Sequence, residues 1–303
     1  NSRHKRFSFG NLLLKLFAVV AAAALALSYI SVYLKPSDLS SFLMYFGLYF
    51  IPILFVNLIV FIIALVRLNG IAFLSFLVML PTLFYADAFV NFGGNQKEPE
   101  GEPFKMLTYN VGLMRLSTDG QKDVAANAGR IENYLRQERP DVLCLQEYST
   151  ADRKLYDSFL TELPYRHQFF FGSKSVNGNV IMSRYPIADS GNLKFENSHN
   201  MCIWADIDME GELVRVYNCH LQSNTISFTN LIQRMVDKGE LSSEVKEVHE
   251  KLRGSNKIRA RQVEEILEHS SQCAHPVIIC GDFNDTPVSY TYSRLHKGRK
   301  DSF

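Results

Sequence analysis

Two regimes of hydrophobicity divide the chain. Between Asn11 and Phe92 apolar residues run almost without interruption, and the only charged positions are Lys15, Lys35, Asp38, Arg67 and Asp87. From Lys97 onward charges recur every few residues, as in a domain that faces water. Three apolar stretches, roughly 12–34, 39–66 and 70–90, reach the ~20 residues a helix needs to cross a hydrocarbon core. The first is too long for the apolar core of a signal peptide, lacks a cleavage pattern and is followed by two further spans. The second is longer than a crossing requires, so it is expected to tilt or bend at Pro52, with a re-entrant segment as the alternative. The stretch Gly93-Gly94-Asn95-Gln96-Lys97-Glu98-Pro99-Glu100-Gly101 has no apolar period and reads as a linker. The expected organisation is an anchor at 1–92, a linker at 93–102 and a globular domain at 103–303.

Within the globular part the period changes from element to element. Residues 104–111 read as a strand, and Val124, Ala128, Ile131 and Leu135 recur at helical spacing over 122–138. Pro140 stops that helix, and Asp141-Val142-Leu143-Cys144-Leu145-Gln146-Glu147 reads as a buried strand ending in an acid. A second helix over 152–163 leads into strand-like runs at 165–171 and 179–183. The runs 201–209 and 212–219 flank Glu210-Gly211, a hairpin signal. Residues 242–271 are polar and helical with a break expected near Gly254. Residues 276–280 form a short apolar strand, and a last helix is expected after Pro287. Helices interspersed with consecutive, hairpin-linked strands favour a layered α/β sandwich over a doubly wound parallel sheet.

Basic residues in the short flanks orient the anchor. Arg3, Lys5 and Arg6 precede the first span, and Arg67 stands without an acid in the second turn. Both sides are therefore expected in the cytoplasm, which puts the globular domain on the extracytoplasmic side after three spans. Tyr29, Tyr33, Tyr45, Tyr49, Tyr85 and Phe89 cluster at the opposite ends, as in an interfacial aromatic belt. Asn57 and Asp87 are the polar exceptions within the spans. Helix–helix bonding suits the first, and proximity to water the second. With no paired intramembrane carboxylates, transport is disfavoured.

A formal net charge of +1 gives no basis for strong, non-specific nucleic-acid binding. Arg253, Lys257, Arg259 and Arg261 form a local basic run, read either as a solvated helix face or as a surface for phosphates. The five cysteines, Cys144, Cys202, Cys219, Cys273 and Cys280, make no C-x-x-C pair, and their spacing supports neither a metal nor a disulfide. Those in apolar runs read as small buried hydrophobes.

Four polar positions share one feature: Asn110, Glu147, His220, and Asp282 with Asn284 each follow a predicted strand. Convergent strand ends would offer oxygen ligands and one imidazole. Such a set suits Mg2+ or Mn2+, which take one or two protein carboxylates together with water and substrate phosphate. Each residue also has a structural reading, as a turn former, a helix cap or a satisfied core histidine.

Taken together, Thr108-Tyr109-Asn110, Leu145-Gln146-Glu147, Asn218-Cys219-His220-Leu221 and Gly281-Asp282-Phe283-Asn284 resemble, in order and spacing, the motifs of the endonuclease/exonuclease/phosphatase superfamily. The segment 179–187 resembles the family's strand with a Ser-Arg-Tyr-Pro-like turn. The resemblance covers about 104–303. It implies a four-layered α/β (α+β) sandwich of the deoxyribonuclease-I-like type, here preceded by an all-α transmembrane segment of three helices. It further implies Glu147 as the main metal ligand, with Asn110 beside metal and phosphate. His220 would donate to the scissile phosphate, Asp282 would orient water or a metal, and Asn284 would position phosphate. The implied activity is hydrolysis of a phosphoester of lipid, nucleotide, nucleic-acid or inositol-phosphate type, at a bilayer resembling a bacterial inner membrane, with no obligate protein partner evident. Family members also carry later Arg-Ile-Asp-Tyr-like and Ser-Asp-His-like motifs, which nothing after Asp285 matches. His296, among Lys297, Arg299 and Lys300, does not stand in for the missing histidine. A C-terminally truncated sequence, nearly inactive as written, is the corresponding expectation. A non-catalytic binding or scaffold protein with a degenerate hydrolase domain is the alternative.

Overall fold

The computed structural model describes residues 9–90, 103–114, 124–149, 159–170, 177–196, 198, 200–224 and 241–302. The chain divides into two compact units. One comprises Asn1–Gln96, Ile226–Ala260 and Asp285–Phe303, the other Lys97–Thr225 and Arg261–Asn284.

In the first unit, helix α1 (Phe9–Ser31) has 23 residues and is nearly all apolar. At 1.5 Å per residue it extends about 35 Å, enough to cross a bilayer core. The second apolar stretch is broken into α2 (Met44–Leu48) and α3 (Phe50–Val66), bent by 62°. Pro52 explains the position of the break. Its ring collides with the carbonyl four residues back, which is that of Leu48, so the helix cannot pass Tyr49 and a new one starts at Phe50. The bend expected at Pro52 therefore falls three residues earlier. Helix α4 (Ile71–Met79) continues as a 3-10 helix over Leu80–Ala88. Among the described residues, Phe9–Ser31 and Ile71–Ala88 are long and apolar enough to cross a membrane, and the bent pair adds a third crossing only if it acts as one span. Asn57 is fully buried and donates to the Ala21 carbonyl of α1 at 2.9 Å, the interhelical bond expected of it.

The long helix Leu241–Ser271, α6 in chain order, runs unbroken through Gly254, contrary to the expected break. One interior glycine costs only ~1 kcal/mol. Buried Leu252, Ala260, Val263 and Ile266 carry the apolar face across it. The basic run on this helix is largely engaged. Arg253 donates to the Asp38 carbonyl and Lys257 pairs with the Asp38 carboxylate. Arg259, only 2% exposed, pairs with Asp285 at 3.1 Å. Neither expected reading describes the run as a whole: Arg259 is buried rather than solvated, and Arg253, Lys257 and Arg259 are engaged by Asp38 and Asp285 rather than left for phosphates.

The second unit holds two four-stranded mixed sheets. One has the order β1-β2-β4-β3, formed by β1 (Met106–Asn110), β2 (Val142–Ser149), β3 (Tyr165–Phe170) and β4 (Asn177–Ser183). The other runs β5-β6-β7-β8, from β5 (Ile187–Lys194), β6 (Met201–Met209), β7 (Glu212–His220) and β8 (Val277–Asp282). Strand β5 carries no strong apolar alternation, and sequence patterning passed over it. The hairpin expected at Glu210-Gly211 joins β6 to β7, with both turn residues at positive φ.

Between the sheets, Val142, Cys144 and Ile181 pack on Met201, Ile203, Ala205, Ile207 and Val216. On the outer face of the first sheet, α5 (Val124–Glu138) covers Leu143, Leu145, Val180 and Met182 with Ala128 and Leu135. Each fully buried aliphatic side chain contributes about 1.5–3 kcal/mol, so this double core dominates the stability of the unit. A short helix, α7 (Tyr290–His296), follows Pro287 in the first unit, with Ser289 as its N-cap. The helix expected over 152–163 falls mostly outside the described residues, as does the linker.

Candidate active site

Parallel pairing aligns strand ends, and the register here aligns the ends that matter. Asn110, the last residue of β1, pairs with Gln146 of β2, and His220, the last of β7, pairs with Asp282, the last of β8. The expected candidates are thus terminal strand residues. Asn284, two residues past β8, and Glu147 are the exceptions. Strand β2 continues to Ser149, and Glu147 sits in a bulge between Leu145 and Tyr148 with φ +50°. A non-glycine residue in that region is strained, and a bulge re-aims its side chain.

The side chains converge. Asn110 Nδ2 donates both to Glu147 Oε1 at 3.1 Å and to Asp282 Oδ2 at 2.9 Å, so one amide holds two carboxylates. Its own oxygen accepts from Gly112 N at 3.0 Å, which fixes the amide orientation. His220 Nε2 lies 3.7 Å from Glu147 Oε1, too long for a hydrogen bond. Asp282 Oδ1 accepts from the Asn284 backbone N–H at 2.9 Å. Asn284, at φ +52°, turns its side chain to the Leu221 carbonyl at 3.0 Å. All five sequence candidates therefore meet at one end of the sandwich, drawn from both sheets, with Asn284 shaping the turn after Asp282.

Gly281 makes the approach of β8 to β7 possible. It adopts φ +131°, and a Cβ there would lie 1.9 Å from the Cys219 carbonyl oxygen. Only glycine fits both demands.

His220 is 6% exposed. Burial pushes its imidazole below the ordinary histidine range, while the carboxylates of Asp282 and Glu147 pull it partly back. A neutral ring that carries one N–H suits hydrogen-bond donation at neutral pH. Its Nδ1 is buried with no hydrogen-bond partner among the described residues.

Behind the site lies a polar network that the motif reading did not single out. Asn218, fully buried in β7, donates to the Leu145 carbonyl at 3.0 Å and the Val180 carbonyl at 2.9 Å on the opposite sheet. Gln146, 1% exposed, donates to Asn218 Oδ1 at 2.6 Å and to Thr108 Oγ1 at 3.0 Å. Gln146 adjoins Glu147, and Asn218 is two residues before His220, so the network pins both strands where they present functional groups. The signal in the sequence was an amide standing in an otherwise apolar strand.

The donor chemistry fits a hard divalent cation. Among the described residues no three His, Cys, Asp or Glu side chains form a closed metal cage. Glu147 and Asp282 instead offer an open pair of carboxylates at a half-exposed edge, and Glu147 retains 34% side-chain exposure. Magnesium is commonly held by one or two carboxylates, leaving positions for water and phosphate.

Residues 107–302 match the model of the Endonuclease/Exonuclease/phosphatase family. None of the curated proteins matches the chain. Among solved structures, truncated TDP2 of Caenorhabditis elegans is similar at 15% identity, with 60% of this chain and 62% of that one covered and a TM-score of 0.40. Sphingomyelinase C from Streptomyces griseocarneus is similar at 20% identity, covering 64% and 69% with a TM-score of 0.45. The human Nocturnin catalytic domain with bound sulfate is similar at 16% identity, covering 65% and 70% with a TM-score of 0.46. The chain thus spans about three-fifths to seven-tenths of these relatives.

Proposed function

The chain belongs to the endonuclease/exonuclease/phosphatase family, and from that premise we propose that it is a membrane-anchored, divalent-metal-dependent phosphoester hydrolase. Family membership carries the coarse statement, a phosphoester hydrolase with its fold of two mixed sheets flanked by helices. The finer reading rests on a single observation, the Asn110 amide bridging Glu147 and Asp282 beside buried His220.

In this reading Glu147, with Asp282 and Asn110, holds Mg2+ or Mn2+. When bound, such a cation polarises a phosphoryl oxygen and stabilises charge on the leaving oxygen. The protein's own groups supply the rest. The neutral His220 donates an N–H to a non-bridging oxygen, whose charge grows as the phosphorus centre becomes five-coordinate. Asp282 is the base side of the site, placed to orient a water for in-line attack. Asn110 prevents the two carboxylates from drifting apart when no cation is present, and Asn284 holds the loop that follows Asp282.

The apolar helices support attachment to a bilayer. The flanking charges Arg3, Lys5, Arg6 and Arg67 support an extracytoplasmic catalytic domain, of the kind found at a bacterial inner membrane. A phosphoester of lipid, nucleotide, nucleic-acid or inositol-phosphate type is the substrate class. A non-catalytic binding or scaffold module is the second reading.

The test is to express the complete gene, purify the protein in detergent and assay a phosphodiester panel with and without Mg2+, while titrating Mn2+ binding separately. Magnesium-dependent turnover that drops about a hundredfold or more in Glu147→Ala and in Asp282→Ala is the expected result. Turnover unaffected by both substitutions would sink the assignment. Absence of both turnover and Mn2+ binding would favour the binding module.

A further inference from the structure

The sandwich core holds a second chemical cluster, which the proposed reaction does not use. Cys202 of β6 and Cys219 of β7 are direct register partners across an antiparallel pair. Both are fully buried, and their Sγ atoms lie 3.2 Å apart. Opposed residues of antiparallel strands have Cα atoms about 4.5–5.5 Å apart. That lies inside the window of about 4.4–6.8 Å that a disulfide bridges. The two side chains already face one another, so closure requires a shift of only about 1 Å, within the reach of χ1 adjustment. Two other thiols are near and engage each other: Cys280 of β8 is opposite Asn218, its Sγ donates to the Tyr217 carbonyl at 3.3 Å, and it also bonds the Cys144 thiol.

We propose that Cys202 and Cys219 form a disulfide, closed as β6 and β7 pair during folding, which ties down the strand that presents His220. The proposal rests on the extracytoplasmic placement argued above, because disulfides form and persist in oxidising compartments. Two S–H bonds break and one S–S bond forms. The oxidant's own S–S bond breaks in turn: the two protons and two electrons pass to a disulfide-type oxidant, which is thereby reduced to two thiols. Timing follows from burial. In the finished sheet the Cys219 thiol is pushed well above its ordinary range, chiefly by removal from water, so little thiolate exists and no oxidant reaches it. Exchange therefore precedes closure of the sandwich, and the same burial afterwards shields the bond from reductants. Cys219 directly precedes His220, so the tie acts one residue from the candidate active site.

The experiment traps thiols in acid-quenched whole cells that express the complete gene, using N-ethylmaleimide, and maps the purified protein by non-reducing peptide mass spectrometry. A linked Cys202–Cys219 peptide pair, two hydrogen atoms lighter than its reduced parts, with Cys144, Cys273 and Cys280 alkylated, is the expected result. Cys144→Ala should leave the link intact, and Cys202→Ala should abolish it. Alkylation of all five cysteines, or a link between any other two, overturns the proposal. An alkaline phosphatase reporter fused to the domain separates the causes. Reduced thiols with an external reporter defeat the disulfide alone, and reduced thiols with an internal reporter defeat the placement as well.

Discussion

Removing the amide of Asn218 should unfold the sandwich far more readily than its small size suggests. In Asn218→Ala three buried hydrogen bonds vanish, those to the Leu145 and Val180 carbonyls and that from Gln146 Nε2. Each contributes about 1 kcal/mol net, which sets an expected loss of about 3 kcal/mol. The loss is bounded above because Gln146 Nε2 keeps Thr108 Oγ1 at 3.0 Å and the Cys144 carbonyl at 3.3 Å, so no donor is fully stranded. Against a domain stability of about 5–15 kcal/mol this is a large fraction.

The single tryptophan, Trp204, provides the readout. It lies in β6 beneath the Arg215 guanidinium, 3.9 Å from the ring centroid, so its emission reports on the sandwich even with the apolar helices held in detergent. With a urea slope of about 1–3 kcal/mol/M, the midpoint should fall by about 1–3 M. A double-mutant cycle with Gln146→Ala should return a coupling of about 1 kcal/mol or more, since the two amides share a 2.6 Å bond. A loss below about 0.5 kcal/mol, or no coupling, would refute the argument that this network ties the two sheets together.

Four further outcomes use the same melt. Gly281→Ala should cost more than about 2 kcal/mol and displace the end of β8, because the added methyl meets the Cys219 carbonyl at a φ that L-residues avoid. Unchanged stability would show that the strand end shifts freely. Asp206→Ala should cost about 3 kcal/mol, since it removes two 2.6 Å bonds from a largely buried guanidinium that keeps only Tyr217 and the Trp204 ring. Arg184→Ala, at an ion pair with 55% exposure on the arginine side, should cost less than about 1 kcal/mol, and equal losses would contradict the burial argument. Burial lowers the pKa of both His167 and His220, so near and below the unfolded value of about 6.5 the unfolded chain takes up more protons. Stability present above that value should fall as pH drops from about 7.5 to about 5.5. The fall should shrink in His167→Gln, whose ring Nε2 meets the Gly191 carbonyl at 3.1 Å, and a pH-independent midpoint would contradict the assignment.

Periodicity and punctuation made several elements legible. The apolar stretch behind α1, the amphipathic run of α5 and the Glu210-Gly211 hairpin are each specified by neighbours within one or two turns. So is the placing of Asn110, His220 and Asp282 at strand ends, because the apolar runs before them stop there. Local signals did not reveal β5, whose pattern Ile187-Ala188-Asp189-Ser190-Gly191 lacks alternation, or the continuity of α6 through Gly254. Those depend on pairing partners and on a buried face contributed by distant residues.

The sequence by itself thus determined which residue types end the strands and where the long apolar run gives way to regularly spaced charges, since both follow from local composition and period. The tertiary structure alone decided that these ends meet. The parallel register of β1 with β2 sets Asn110 beside Glu147, that of β7 with β8 sets His220 beside Asp282, and the packing of the two sheets brings Asn110 to Asp282 across 172 positions of chain. It alone turned Glu147 outward on a bulge, and set Cys202 against Cys219 where spacing had suggested no pair. The reason is that register is fixed by which side chains fill the space between two sheets. That sum over both sheets has no representation in any short window of the chain.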